Sequence, residues 1–188
     1  ADREAAAGRA GQIGYPLFVK PVKAGSSYGI TKVSDESELQ GAMELALAYD
    51  DEIMIEECIS GFEVGCAVMG TGDMVLGEVD EIELAEGFFD FTEKYTLKTS
   101  AIHVPARISP DLARRVKESA KRIYRALDCR GFARVDMFLT KEEEIVFNEV
   151  NTIPGFTTHS RFPNMMKAAG ISFEEVVSEI LEEALSRA

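Results

Sequence analysis

Residues 147–156 read FNEVNTIPGF. Val146 and Phe147 lead in with the apolar, β-prone character of a strand, and Asn148, Glu149 and Asn151 follow before a Pro-Gly turn. Side chains at i and i+2 of a strand share a face, so Glu149 and Asn151 are expected side by side. A buried carboxylate is costly unless something positive meets it. An ion or a substrate would answer that need, and so would a buried Arg or Lys.

The preceding strand, GFARVDMFLT, carries Arg134 and Asp136 at the same spacing, and an acidic turn from Lys141 to Glu144 joins it to EIVFNEVN. If the two pair as a hairpin, Asp136, Glu149 and Asn151 converge on one face with Arg134 beside them. Two carboxylates and an amide oxygen form an all-oxygen set. That suits Mg²⁺ held largely through substrate phosphates and does not suit zinc. The same spacing allows an ion pair of Arg134 with Asp136 or Glu149, with Asn151 merely ending the strand. Spacing alone does not choose.

Towards the N-terminus, YPLFVKPV and YGITKV read as a hairpin around the loop KAGSS. Lys20 ends the first strand. Gly25, Ser26, Ser27 and Gly29 supply backbone N–H groups and hydroxyls able to fold over phosphate oxygens, although the P-loop spacing is absent. An ordinary hairpin turn is the other reading. Ser34 is expected to cap a helix reaching about Tyr49, with Leu39, Met43, Ala46 and Leu47 on its inner face. EIMIEECI, GFEVGCAVMG and MVLGEVDEIEL follow as strands.

AEGFFDFTEKYTLKTSAI, residues 85–102, has no clear period, and long irregular loops are usually functional or disordered. Phe88, Phe89 and Phe91 argue against disorder. Ser109-Pro110 opens a second helix with Leu112, Val116, Ala120, Ile123 and Leu127 as its buried stripe. Ser172 to Glu175 forms a capping box for a last helix, with Val176, Ile180, Leu181 and Leu185 inward. Strands in antiparallel groups with helices between them make the fold class α+β.

The 188 residues suffice for one or two domains with a sizeable core. Acidic residues outnumber basic ones 33 to 20, a net charge of −13 that opposes nucleic-acid binding. Three cysteines without a CxxC pair fit structural thiols in a reducing cytoplasm. No apolar run is long enough for a membrane span, and ADREAAAGRAGQ reads as helix or linker, not as a signal peptide.

Taken in order, FVKP…GSSYGI, IEECISGFEVGCAV, FFDFTEKYTLKTS, GFARVDMF and FNEVNTIPGFTTHSRFP resemble the D-alanine–D-alanine ligase family of ATP-grasp enzymes. Within it, the likeness is to the D-alanine–D-serine ligases of vancomycin-resistance clusters. It runs in register from about Gly14 to the C-terminus. The resemblance implies a linker or helix remnant at 1–13 and a central ATP-grasp subdomain at 14–60. A C-terminal subdomain would follow at 61–188, with a mobile loop at 84–101.

It also implies roles for individual residues. Lys20, Ser26 and Ser27 would meet ATP phosphates, and Glu56, Glu57, Cys58 and Ile59 would hold adenine. Glu63 would bind ribose, Phe88 and Phe138 would wall the adenine slot, and Asn148 would join the nucleotide contacts. Lys94 would approach the transferred phosphate while Tyr95 pairs with Ser26 to close the lid. Asp136, Glu149 and Asn151 would carry two Mg²⁺ ions, Mn²⁺ being an alternative. Arg134 and the Gly155 N–H would steady the tetrahedral intermediate, and Ser160, with Arg161 adding charge, would take the second amino acid's carboxylate. His103 and His159 read as structural.

The implied activity is cytoplasmic: ATP converts D-alanine to D-alanyl phosphate, and a second D-alanine or D-serine attacks to make a peptidoglycan-precursor dipeptide. Full-length relatives are homodimers and begin with a further domain, so this chain by itself is expected to bind Mg-ATP weakly and ligate little. Another ATP-grasp carboxylate–amine ligase and a non-catalytic nucleotide-binding module are the alternatives.

Overall fold

A computed structural model describes residues 3–84 and 100–186, in two compact units: residues 3–59, and residues 60–83 with 100–186. Phe88, Lys94 and Tyr95 lie outside the described residues. Among the described residues no helix is long and apolar enough to cross a membrane. Cys58, Cys66 and Cys129 are free thiols, and burial pushes the Cys66 thiol up to about 12.

The first unit comprises α1 (Arg3–Ile13), β1 (Leu17–Pro21), β2 (Thr31–Val33), α2 (Glu36–Leu47) and β3 (Ile53–Glu57). Its antiparallel sheet is ordered β2-β1-β3, and the expected hairpin forms with Leu17 opposite Val33 and Val19 opposite Thr31. Alternation divides β1. Leu17 and Val19 are buried with Leu39, Ala42, Met43 and Ala46 of α2 and Ala10 of α1, and Lys20 falls on the opposite face.

Helix α2 starts one residue later than expected. Asp35, not Ser34, is the N-cap, its carboxylate accepting from the Ser37 N–H. An anion suits the positive end of a helix better than a hydroxyl does. Hydrogen bonds from the Ser37 hydroxyl and N–H hold Asp35 below its ordinary value.

The second unit contains β4 (Gly61–Met69), β5 (Val75–Leu84), β6 (Ser100–His103), α3 (Pro110–Ala126), β7 (Phe132–Thr140) and β8 (Ile145–Asn151), then α4 (Arg161–Ala168) and α5 (Phe173–Ser186). Its five strands are ordered β6-β5-β4-β7-β8. Helix α3, capped by Ser109 with Pro110 in its first turn, lays Leu112, Val116, Ala120 and Tyr124 on Val64, Cys66, Val68, Val135 and Met137. Leu127, expected in that stripe, is the C-cap and is 54% exposed; Tyr124 takes the inward place.

On the opposite sheet face, Phe162, Met165 and Met166 of α4 and Val176 of α5 cover Ala67 and Met69. Helix α4 has eight residues with Pro163 in its first turn, too short a run to show a helical period. The α5 capping box closes as expected, the Ser172 N–H donating to Glu175 at 2.7 Å and the Glu175 N–H to the Ser172 hydroxyl at 3.2 Å. Val176 and Ile180 pack inward, but Leu181 and Leu185 are exposed.

Candidate active site

Register places the polar side chains. Cross-strand neighbours of an antiparallel sheet stand in rows. On the face away from α3, one row runs Asp80, Gly65, Asp136, Glu149 across β5, β4, β7 and β8. The row on one side is Ala67, Arg134, Asn151, and on the other Ile82, Glu63, Phe138, Val146. Asp136 pairs with Glu149 while Met137 pairs with Phe147, so Asn148 is an extra residue in β8. This bulge changes the phase of the strand and lets Val146 and Glu149, three residues apart, face the same side.

Asp136 is 0% exposed. The Arg134 Nε donates to its Oδ1 at 2.8 Å and Nη2 to its Oδ2 at 2.7 Å. The Asn151 Nδ2 donates to Asp136 Oδ2 at 2.8 Å and to Glu149 Oε1 at 3.3 Å. The Arg134–Asp136 ion pair weighed as an alternative therefore exists, inside the same cluster as Glu149 and Asn151. Glu149 itself is exposed, contrary to expectation; the cost of burying a carboxylate falls on Asp136.

Arg161 departs most from expectation. Its guanidinium does not stand ready for a substrate carboxylate. Nε and Nη2 donate to Asp80 Oδ2 and Oδ1 at 2.7 and 2.8 Å, and Nη1 donates to Glu63 Oε1 at 2.6 Å. Nη2 also lies 3.5 Å from Asp136 Oδ1. Burial would push its pKa down, but Asp136 and Asp80 together lift it well above its ordinary value. Gly65 makes the room: a Cβ there would stand 2.6 Å from Arg161 Nη2 and 2.9 Å from Asp136 Oδ1.

Sequence reasoning missed Asp80, which is 0% exposed and sits in a strand read as plain. Two signals pointed to it. Asp80 is i−2 from the apolar Ile82 and so shares its face of the strand. A glycine inside the apolar run EVGCAV marks a close approach by another group.

Glu63, Asp80, Asp136 and Glu149 set four carboxylates against the two guanidiniums of Arg134 and Arg161, leaving an excess of negative charge. Among the described residues, no group of three His, Cys, Asp or Glu side chains is gathered to hold a metal ion. Asp136, Glu149 and Asn151 offer two carboxylates and one amide oxygen, the donor types that a hard cation takes when phosphate and water supply its remaining oxygens. The Asn151 amide, which now offers its NH₂ to both carboxylates, would turn its oxygen inward to join them.

Residues 152–160 link Asn151 to α4. The Ser160 hydroxyl accepts from the Thr157 N–H at 3.0 Å and lies 2.9 Å from Thr157 Oγ1; the Ser160 N–H donates to the Thr157 carbonyl at 2.9 Å. A Cβ on Gly155 would stand 2.8 Å from Ser160 Oγ. Gly155 and Ser160, both singled out in the sequence, are therefore next to one another.

In the first unit, Lys20 Nζ lies 2.7 Å from Glu56 Oε1, joining two residues expected at the nucleotide. Ser26 and Ser27 have φ of 54° and 60°, left-handed conformations uncommon outside glycine. Glu57 and Cys58 follow Glu56 at the end of β3, with the Cys58 N–H donating to the Pro16 carbonyl at 3.3 Å. Ile59 is the unit's last residue before β4.

A family profile described as D-ala D-ala ligase C-terminus matches residues 1–182. The chain belongs to that family, and its fold is the α+β ATP-grasp architecture of those ligases. Among solved structures it resembles the VanG D-Ala:D-Ser ligase from Enterococcus faecalis, with TM-score 0.88 and 57% identity over 96% of this chain and 53% of that one. The D-alanine–D-alanine ligase from Coxiella burnetii gives TM-score 0.82 and 30% identity over 98% of this chain and 48% of that one. The vancomycin B-type resistance protein VanB of Enterococcus faecalis is 48% identical over 178 residues, 92% of this chain and 52% of that protein. The chain spans about half the length of the curated relatives it matches.

Proposed function

We propose that the chain is the catalytic portion of an ATP-dependent ligase that joins D-alanine to D-serine or a second D-alanine, making a peptidoglycan-precursor dipeptide in the cytoplasm. The observation that carries this reading is the row Asp136–Glu149 with Arg134 and Asn151 directly beside it, in a family whose named members include ligases of D-alanine. The 57% identity to a D-Ala:D-Ser ligase favours D-serine as the second substrate. The first unit is assigned to the central ATP-grasp subdomain and the second to the C-terminal one.

A free carboxylate is a poor acyl donor at neutral pH, so the first D-alanine must be phosphorylated before an amine can displace the phosphate. Asp136, Glu149 and Asn151 would hold two Mg²⁺ ions, which would supply neutralisation of charge on the transferring phosphoryl group. Arg134, fixed by its three hydrogen bonds to Asp136, would steady the charge that develops on the tetrahedral intermediate. The Gly155 N–H completes the cradle of the tetrahedral oxyanion, and Ser160 orients the second amino acid through its carboxylate. Lys20, Ser26, Ser27, Glu56–Ile59, Glu63, Phe138 and Asn148 serve the nucleotide; Phe88, Lys94 and Tyr95 belong to the same proposal.

The test is phosphate release and dipeptide formation from ATP, D-alanine and a panel of D-serine, D-alanine and unrelated acids. It is run on the chain alone and on the chain fused behind the amino-terminal half of the VanG ligase. D-Ala–D-Ser formation by the fusion, with little from the chain alone, is expected. Turnover only with unrelated carboxylates would replace the reading with another ATP-grasp ligase, and nucleotide binding without turnover in either form would reduce it to a binding module.

A further inference from the structure

Most of the loop that carries Gly155 and Ser160 is in water: Ile153 is 89% exposed, and Gly155 and residues 157–159 are also exposed. Such a segment is a poor platform for donors that must meet a reacting centre, because preorganisation is what makes such donors effective. Something must hold it. Pro154 is buried and Phe156 is half-buried, so these two side chains tether the loop.

Phe156 sits among three other rings. It meets Phe132 edge-on at 5.5 Å between centroids, stacks with Phe162 at 5.8 Å, and lies tilted against Phe173 at 5.3 Å. Phe132 and Phe162 also pack edge-on, at 5.4 Å. Each partner comes from a different element. Phe132 shares β7, and one face of it, with Arg134 and Asp136; Phe162 follows Arg161 at the start of α4; Phe173 opens α5. One ring thus ties the loop to the strand bearing the charged cluster and to both covering helices. At the loop's far end, Thr157 and Ser160 close on each other through three hydrogen bonds.

We infer that Phe156 is a positioning residue. Its ring, gripped by Phe132, Phe162 and Phe173, sets where the Gly155 N–H and the Ser160 hydroxyl stand relative to Arg134. The inference rests on the ligase reading only for what those donors do, since the anchoring itself is a property of the loop. Phe156 touches no reacting atom. Losing its ring should loosen the donors while leaving the carboxylate row in place.

Two measurements test this, one of which needs no activity. Hydrogen exchange on the 188-residue chain should show Phe156→Ala raising the exchange of amides 155–160 at least tenfold, with β7 and β8 unchanged, and Phe156→Leu recovering part of the protection. In whichever form ligates, Phe156→Ala should lower kcat on the order of 10- to 100-fold, as expected of misplaced groups. It should also raise KM for the second D-amino acid and leave KM for ATP unchanged. Val176→Ala, which removes buried volume from the same layer but lies outside the loop, should cost thermal stability but shift neither KM. The inference is overturned if Phe156→Ala leaves loop exchange unchanged, or if Val176→Ala reproduces its KM pattern. If Phe156→Ala does not fold, Phe156→Leu against Val176→Ala decides by the same readouts. Absence of ligation in the unsubstituted protein counts against the ligase reading, and exchange alone then judges the anchor.

Discussion

Asp80, Gly65 and Asp136 stand on three adjacent strands, and the Arg161 guanidinium lies over the middle one. Removing one partner of a buried ion pair leaves an uncompensated charge out of water, typically at a cost of about 3–5 kcal/mol. Asp80→Asn is therefore expected to lower the unfolding free energy by about that amount in urea titrations. A loss within about 0.5 kcal/mol, ordinary for surface substitutions, would mean that Glu63 and Asp136 already satisfy Arg161. Gly65→Ala should also be destabilising, because the added methyl meets Arg161 and both aspartates at under 3 Å. Its expected cost is about 1–3 kcal/mol, read by the same titration. The residues legible in advance were those with a same-strand partner, Arg134 with Asp136 and Glu149 with Asn151. Asp80 and Arg161 find each other across 81 positions of sequence, and no local spacing encodes that contact.

Most strands and hairpins were readable as elements because alternation and turn chemistry are local signals. The hairpin of β1 and β2, the β7–β8 pair and the Ser109 and Ser172 caps all depend on neighbours within a few residues. The bulge at Asn148 and the short helix α4 were not readable, since both are set by what packs across the sheet. Another such feature lies where the segment between β6 and α3 meets β5. The Arg107 guanidinium donates to Glu81 at 2.6 and 3.3 Å, and its N–H donates to the same carboxylate at 2.9 Å. These hydrogen bonds hold Glu81 below its ordinary value. A carboxylate with a lowered folded-state pKa contributes stability above its unfolded pKa of about 4.3, and that stability is lost as pH falls through the folded value. Arg107→Ala should therefore lower Tm at pH 7, with the gap to the parent protein closing as pH drops below about 4. A gap independent of pH would assign the effect to packing of the Arg107 stem.

On the scale of the whole molecule, a chain of net charge −13 is read as handling a polyanionic nucleotide. The resolution lies in local composition. Basic groups are set against the carboxylates in each unit, Lys20 beside Glu56 in one and Arg134 and Arg161 against the acidic row in the other. Divalent cations would offset the remaining negative charge when phosphates arrive. Nucleotide affinity should accordingly be conditional on the cation, and the carboxylate best placed to report this is Glu149, the exposed end of the row. The most direct measurement is a calorimetric titration of ATP with and without Mg²⁺, on the chain and on Glu149→Gln. Tighter binding with Mg²⁺ in the parent chain, and loss of most of that gain in Glu149→Gln, is the predicted result; equal affinity in all four titrations would contradict it.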